Sequence, residues 1–314
     1  MKTFSLLLLL LLVSANAWSS GRTSDITGND GRLAHRTDSS IYCERTAHSI
    51  DSTLYCGRPA QYRQWKSNAL MIGVGHANIL DTYLSPEKYR GTTLRFLSHT
   101  RRGKPSTSLV RQLTHEGELA FADNRSGNGG EIALGYTFRY ALLKQWRLTI
   151  GQRPVNILAG GTAALNIGML YNTRNGNNPA NARLSLHIEP TVAADVPIGT
   201  ARDTRGVRFS PSACAAYPVV VHYEATIPLI GLMFSPNYGQ SYYEIFSRGN
   251  YDHNCVPTTI AATPSFRQML TLDFRALRTT WRIGYLGEWR QASVNNLKQH
   301  LFAHSVVVGV VRSF

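Results

Sequence analysis

After residue 17 the 314-residue chain has no apolar run of helix length, which excludes a membrane protein built on helices. Cysteine is scarce: Cys43, Cys56, Cys214 and Cys255 are the only four, with no CxxC pair and no Cys/His cluster. A zinc site is therefore not expected, and no cofactor motif is present. There is no GxSxG elbow or other nucleophile signature, which counts against a hydrolase of the familiar serine type. Acidic residues are few as well, 19 against 33 Lys and Arg, giving a formal net charge of +14.

What is present begins with "MKTFSLLLLLLLVSANAWSS". Lys2, the apolar stretch from Phe4 to Val13 and the small-residue site Ala15-Asn16-Ala17 make residues 1–17 a secretory signal peptide. Export changes the meaning of the basic charge. An exported protein meets little nucleic acid, so anionic lipid headgroups, lipopolysaccharide phosphates and surface glycans are the expected counterparts. Export also permits disulfides, and Cys43 and Cys56 are close enough in sequence to close a small loop. Residues 18–64, rich in Ser, Thr, Arg, Asp and Gly, read as an irregular N-terminal extension.

From residue 65 to 314 the texture is that of strands separated by turn signals. In "EIALGYTFRYALL" one row is Ile132, Leu134, Tyr136, Phe138, Tyr140 and Leu142, and the other is Glu131, Ala133, Gly135, Thr137, Arg139 and Ala141. The stretches "AALNIGMLY", "RLSLHIE", "VVVHYEATIPL", "QMLTLDFRA", "TWRIGYLGEW" and "HSVVVGVVRSF" alternate in the same way. Weaker strands fit at 69–80, 92–101 and 108–122, for about ten in all (ten to twelve). Short connections such as "RRGKPS", "GQRP" and "ALRT" alternate with longer ones, "DTYLSPEKYRG", "NRSGNGG", "YNTRNGNNPANA" and residues 231–265. Residues 199–217 do not fit, falling where a short turn is expected.

The composition of the second row decides which face is which. A water-facing row would be filled with Lys, Glu, Thr and Gln. Here it holds Ala133, Gly135, Ala141, Ala164, Gly168, Gly284 and Gly309, broken by single charges of both signs. Small residues with interleaved charges suit a crowded interior, and the bulky row with its Tyr and Trp suits lipid. The pattern predicts an all-β protein: a closed antiparallel up-and-down transmembrane β-barrel in the outer membrane. Only a closed barrel or a helix satisfies its backbone groups in hydrocarbon. Phe314 then ends the closing strand as a C-terminal signal for the barrel assembly machinery of a Gram-negative envelope, while His304 and Arg312 sit awkwardly on the lipid face.

Several phrases carry a resemblance: "GVGHANILDTYLSPEKYRG" (73–91), "LNIGMLYNTRNGNNPANA" (165–182), "FSPNYGQSYYEIFSRGNYD" (234–252) and the last thirty-six residues from "TTWRIGYLGEW" onward. They resemble a family of uncharacterised outer-membrane β-barrels common in Bacteroidota, a domain of unknown function. The resemblance covers roughly 69–314 and implies location and fold, with no catalytic residues to carry over.

Three functional classes follow. The first is a structural barrel or small-solute pore, porin-like but with a largely plugged lumen. A barrel of about ten strands is narrow enough for side chains to fill. Its polar network is expected to draw on Glu116, Glu118, Glu131, Arg139, Arg183, His187, Glu189, Glu224, Asp273, Arg275, Arg282, Glu288 and Arg290. The second is a surface-recognition barrel binding a partner or glycan through outer loops, with Tyr83, Tyr238, Tyr242, Tyr243 and Phe246 as contacts. The third, less favoured, is a lipid-modifying enzyme using one of His76, His99, His115, His222 or His304. With the barrel drawn this way, Cys255 lies outside and Cys214 on the periplasmic side, so the two should not pair.

Overall fold

Alternation of β-branched and aromatic residues with small ones over seventeen or more residues leaves a segment little choice but a long strand. The computed structural model describes residues 65–104, 107–150, 153–198, 219–249, 251 and 253–313. The signal peptide, the extension, the Cys43–Cys56 pair, all of residues 199–217 with Cys214, and Phe314 lie outside the described residues. The strands are β1 (Trp65–Asp81), β2 (Ser85–Gly103), β3 (Leu109–Asp123), β4 (Gly130–Ile150), β5 (Arg153–Asn172) and β6 (Ala180–Ile198). They continue with β7 (Val219–Thr226), β8 (Ile230–Phe234), the helix α1 (Tyr242–Arg248) and β9 (Cys255–Thr259). The last are β10 (Phe266–Ala276), β11 (Thr279–Val294) and β12 (Leu297–Ser313).

All pairings are antiparallel, and two of them close the sheet. β1 pairs with β12 from Ser67↔Ser313 to Asp81↔Gln299, and β5 pairs with β6. β7 and β8 are two halves of one stave, both paired to β6 and separated at Ile227–Leu229, where Pro228 interrupts. β10 and β9 make the next stave in the same way, pairing β7 and β8 respectively. The barrel therefore has ten staves, as the alternation predicts. Both described termini lie at one end, here the terminal end; the opposite one is the far end.

Two connections differ from expectation. "DTYLSPEKYRG" is no long loop: β1 runs through Asp81 and β2 begins at Ser85. Asp81 makes this tight turn itself, its Oδ1 accepting the Tyr83 N–H at 3.1 Å and its carbonyl the Leu84 N–H at 3.0 Å. Residues 231–265 contain β8, α1 and β9 rather than loop alone. Pro257 hid the strand, since proline cannot donate to a ladder; β9 tolerates it because, among the described residues, one of its edges is unpaired. The helix is short but fully signed, with Ser241 and Glu244 forming a capping box and Gly249 ending it in the left-handed region.

The bulky rows face outward along every stave. Leu70, Ile72 and Val74 on β1, Leu134 and Tyr136 on β4, Ile167 and Met169 on β5, and Val306 and Val308 on β12 are all exposed. The small and charged rows face inward and are buried. Inside, backbone crowding demands absent side chains: a Cβ on Gly75 of β1 would lie 1.9 Å from the His304 carbonyl on β12. His304 itself loses its awkwardness. On the outer face its Nδ1 is 2.5 Å from the Tyr285 hydroxyl, and its ring packs edge-on to Trp289.

Candidate functional site

Inward-facing positions recur every second residue, so charges two apart on one strand rise as rungs through the lumen. Arg95 on β2, 1% exposed, is the hub of the middle tier. Its Nη1 donates to Glu116 Oε1 of β3 at 2.7 Å and to Glu288 Oε2 of β11 at 2.8 Å, and its Nη2 is 2.7 Å from Glu118 Oε1. Arg139 of β4 donates to Glu116 Oε2 at 3.0 Å and to Glu288 Oε1 at 3.2 Å, and its Nε faces Glu189 at 3.6 Å. Arg267 of β10 reaches Glu116 at 3.4 Å and Glu224 at 3.1 Å, and Arg290 is bonded to Glu118.

These contacts cross the lumen. β4 and β11 lie five staves apart whichever way the ring is followed, and so do β10 and β3. The Arg139–Glu288 and Arg267–Glu116 pairs are diameters. Guanidinium groups suit this task, since a planar fork holds two carboxylates at once.

A second tier lies toward the terminal end. Arg101 Nη1 donates to Asp195 Oδ1 at 2.8 Å, and Arg282 grips Asp273 through Nε and Nη2 at 2.5 and 2.7 Å. His222 sits between the two aspartates, Nδ1 at 2.7 Å from Asp195 and Nε2 at 3.0 Å from Asp273. With both nitrogens engaged by carboxylates, neither is available to a substrate. His99 is buried with Arg282 and Glu224, whereas His76, His115 and His304 are on outward rows.

The third tier closes the far mouth. Asp81 on β1 accepts the Asn181 amide of β6 at 2.7 Å, another five-stave crossing, and Arg183 Nη2 stands 3.3 Å away. Above them Tyr242 of α1 donates to Asn181 Oδ1 at 2.5 Å and accepts the Ala182 N–H at 2.7 Å. Tyr83 donates to the Gln240 carbonyl at 3.1 Å and meets Tyr242 edge-on at 5.7 Å. Burial raises the pKa of both phenols, with Asp81 adding to the effect for each. Glu131 belongs here too, accepting the Asn172 amide at 3.0 Å.

The thirteen polar positions expected in the lumen thus divide. Glu116, Glu118, Arg139, Glu189, Glu224, Glu288 and Arg290 stand in or beside the middle tier, Asp273 and Arg282 in the second, and Glu131 and Arg183 at the far mouth. His187 is buried, 3.5 Å from Thr258 Oγ1. Arg275 departs from the expectation: it is exposed near the end of β10, beyond the network. Arg95, Arg101, Gln112, Asp195, Arg267, Asp81 and Asn181 were missed. The signal for two of them was the row Thr93, Arg95, Leu97, His99, Arg101, opposite Leu94 and Phe96, which continues the pattern of the neighbouring strands.

The five aromatic contacts divide as well. Tyr83 and Tyr242 seal the mouth. Tyr238, Tyr243 and Phe246 are exposed, and Phe246 stacks between Tyr242 and Phe234 with Tyr251 against its edge.

The family described as "Protein of unknown function (DUF3316)" matches residues 6–314, and the chain belongs to it. Among curated proteins no sequence matches. Among solved structures it is similar to the outer membrane protease OmpT from Escherichia coli, at 6% identity and a TM-score of 0.41 over 84% of this chain and 100% of that one. It is also similar to the transport unit of the autotransporter AIDA-I from Escherichia coli (5%, 0.37, 82% and 92%). The translocator domain of the autotransporter NalP from Neisseria meningitidis is a third (9%, 0.34, 79% and 88%). Scores this low carry no argument.

Proposed function

We propose that this member of the DUF3316 family is an integral outer-membrane barrel that does not conduct, a filled membrane anchor carrying an aromatic cap at its far end. The Arg139–Glu288 pair carries the reading, because an ion pair at 3.2 Å between opposite walls leaves no axial path for a solute. The outer face supports membrane insertion: its exposed Leu, Ile and Val would be an aggregation hazard in water and are at home in hydrocarbon. In a Gram-negative envelope the terminal end faces the periplasm, and the lid of α1 faces outward. Lipids and lipopolysaccharide surround the barrel; Lys88 and Arg90, on β2 toward the far end, suit lipid phosphates. The barrel assembly machinery inserts it.

The test is solute flux through liposomes carrying the purified full chain. Sucrose and arabinose should permeate no faster than in empty vesicles; swelling comparable to a porin control would end the reading.

A second reading rests on the cap. Tyr238 and Tyr243, 75% and 65% exposed, with Phe246 and Tyr251, form an exposed aromatic surface, which suits recognition of a partner or glycan. Glycan-array binding lost on Tyr243→Ala would favour it, and an array without signal would count against it.

A further inference from the structure

The outward rows change character at the terminal end, and they do so on only half of the wall. On five adjacent staves, β12, β1, β2, β3 and β4, the apolar row gives way to a cation: Arg312, Lys66, Arg102, Arg111 and Lys144. Lys66 is half-buried and the other four are exposed. Register joins them into one belt. Lys66 is the direct cross-strand partner of Arg102, and Arg102 of Arg111. Arg312 faces Asn68 and Lys144 faces Leu109, so each stands two residues along from that line. Among the described residues, the outward rows of these five strands hold a single acid, Asp123, at the far end of β3. On the other staves the outward row at the terminal end stays apolar, with Ile157, Val196, Val221, Phe274 and Trp281.

Like charges set directly opposite each other destabilise a sheet, and here two such pairs follow one another across three strands. An anion lying over them turns the repulsion into attraction. Guanidinium suits a phosphate, since its planar fork takes two oxygens at once. The depth profile says which kind of phosphate. Next to the belt, toward the middle of the wall, the Asn68 amide donates to Thr100 Oγ1 at 3.1 Å. Beyond that pair the rows continue as Leu70, Leu113, Leu142 and Val310. Charge, then neutral polar groups, then hydrocarbon is the order of phosphate, ester and acyl chain in a glycerophospholipid. A soluble acidic partner would match the first layer and neither of the others.

We propose that the belt is a binding site for an anionic glycerophospholipid in the leaflet at the terminal end, its phosphate held by Lys66, Arg102 and Arg111 and its chains along Leu70 and Leu113. The proposal rests on the membrane reading above, which turns that leaflet toward the periplasm. It gives the barrel two sides: one half of the wall gathers charged lipid, and the other takes lipid without regard to its headgroup.

The experiment uses the full chain with its four cysteines changed to serine and a bimane fluorophore on Ser98→Cys. Ser98 is opposite Leu70 and on the same outward row as Arg102. Nanodiscs of phosphatidylcholine carry a graded share of doxyl-labelled phosphatidylglycerol or, as the neutral comparison, doxyl-labelled phosphatidylcholine. Half-quenching should need about fivefold less of the anionic lipid, and added salt should narrow the difference. Arg102→Gln with Arg111→Gln should bring the two curves together. Lys88→Gln with Arg90→Gln, which removes exposed cations at the opposite end, should leave them apart. Equal quenching by the two lipids in the unsubstituted belt would overturn the proposal and leave the membrane reading standing, since the fluorophore would be in lipid without choosing among headgroups. Quenching by neither would put the row outside lipid and overturn both.

Discussion

Arg139 and Glu288 stand on opposite walls of the barrel and meet at 3.2 Å across its axis, five staves apart in either direction. Taking ions out of water is expensive, and the network repays that cost only while every member is matched. Removing one carboxylate leaves Arg95 and Arg139 without an acceptor they share. Glu288→Ala is expected to cost about 3–5 kcal/mol of stability. It should appear as a lower temperature for the heat-induced shift in gel mobility; an unchanged transition would mean that the pair is idle.

Two glycines, one on each face of the wall, provide a paired test. Gly75→Ala sets a Cβ against backbone at the β1–β12 seam and should block closure, giving little folded barrel on refolding into detergent. Gly161, on the outward row of β5, has nothing within 4 Å of an added Cβ, and Gly161→Ala should fold like wild type. Equal yields from the two would contradict the seam as described.

The cap is held by few bonds and should loosen selectively. Asn181→Ala removes the acceptor of the Tyr242 hydroxyl, a loss of about 1 kcal/mol. Amide exchange in Tyr242–Arg248 should quicken roughly fivefold while β4 and β11 are unaffected. The phenols add a pH dependence. Their pKa values are raised in the closed cap, so the closed form holds protons that the open form releases near pH ~10. Closure therefore weakens as pH climbs above about 10, and Tyr242→Phe should flatten that response.

Orientation can be read with a native thiol. Cys255 is exposed at the far-end start of β9. In cells expressing a chain with Cys43, Cys56 and Cys214 changed to serine, a membrane-impermeant maleimide should label it from outside. Labelling only after the outer membrane is breached would reverse the assigned direction.

Much of the fold was legible because a barrel repeats one simple decision. Along β4 every side chain from Glu131 to Leu142 declares its face by size or charge, and the terminal run continues the same alternation. Legibility failed where a local device overrode the period. Asp81 turned an apparent loop into a three-residue corner, Pro228 broke a stave whose halves still lie in line, and Pro257 hid β9. The charged lumen was half visible. Each rung could be assigned from its own strand, but that Arg139 meets Glu288, or Asp81 meets Asn181, depends on closure and shear, which no single strand records.

The central claim is that apolar rows face lipid while charged rows fill the axis, and a nitroxide on β4 tests it most directly. With the full chain in liposomes and the label at Leu134→Cys, relaxation by oxygen should be strong and relaxation by a water-soluble nickel chelate weak. Strong nickel relaxation with weak oxygen relaxation would put that row in water and contradict the account.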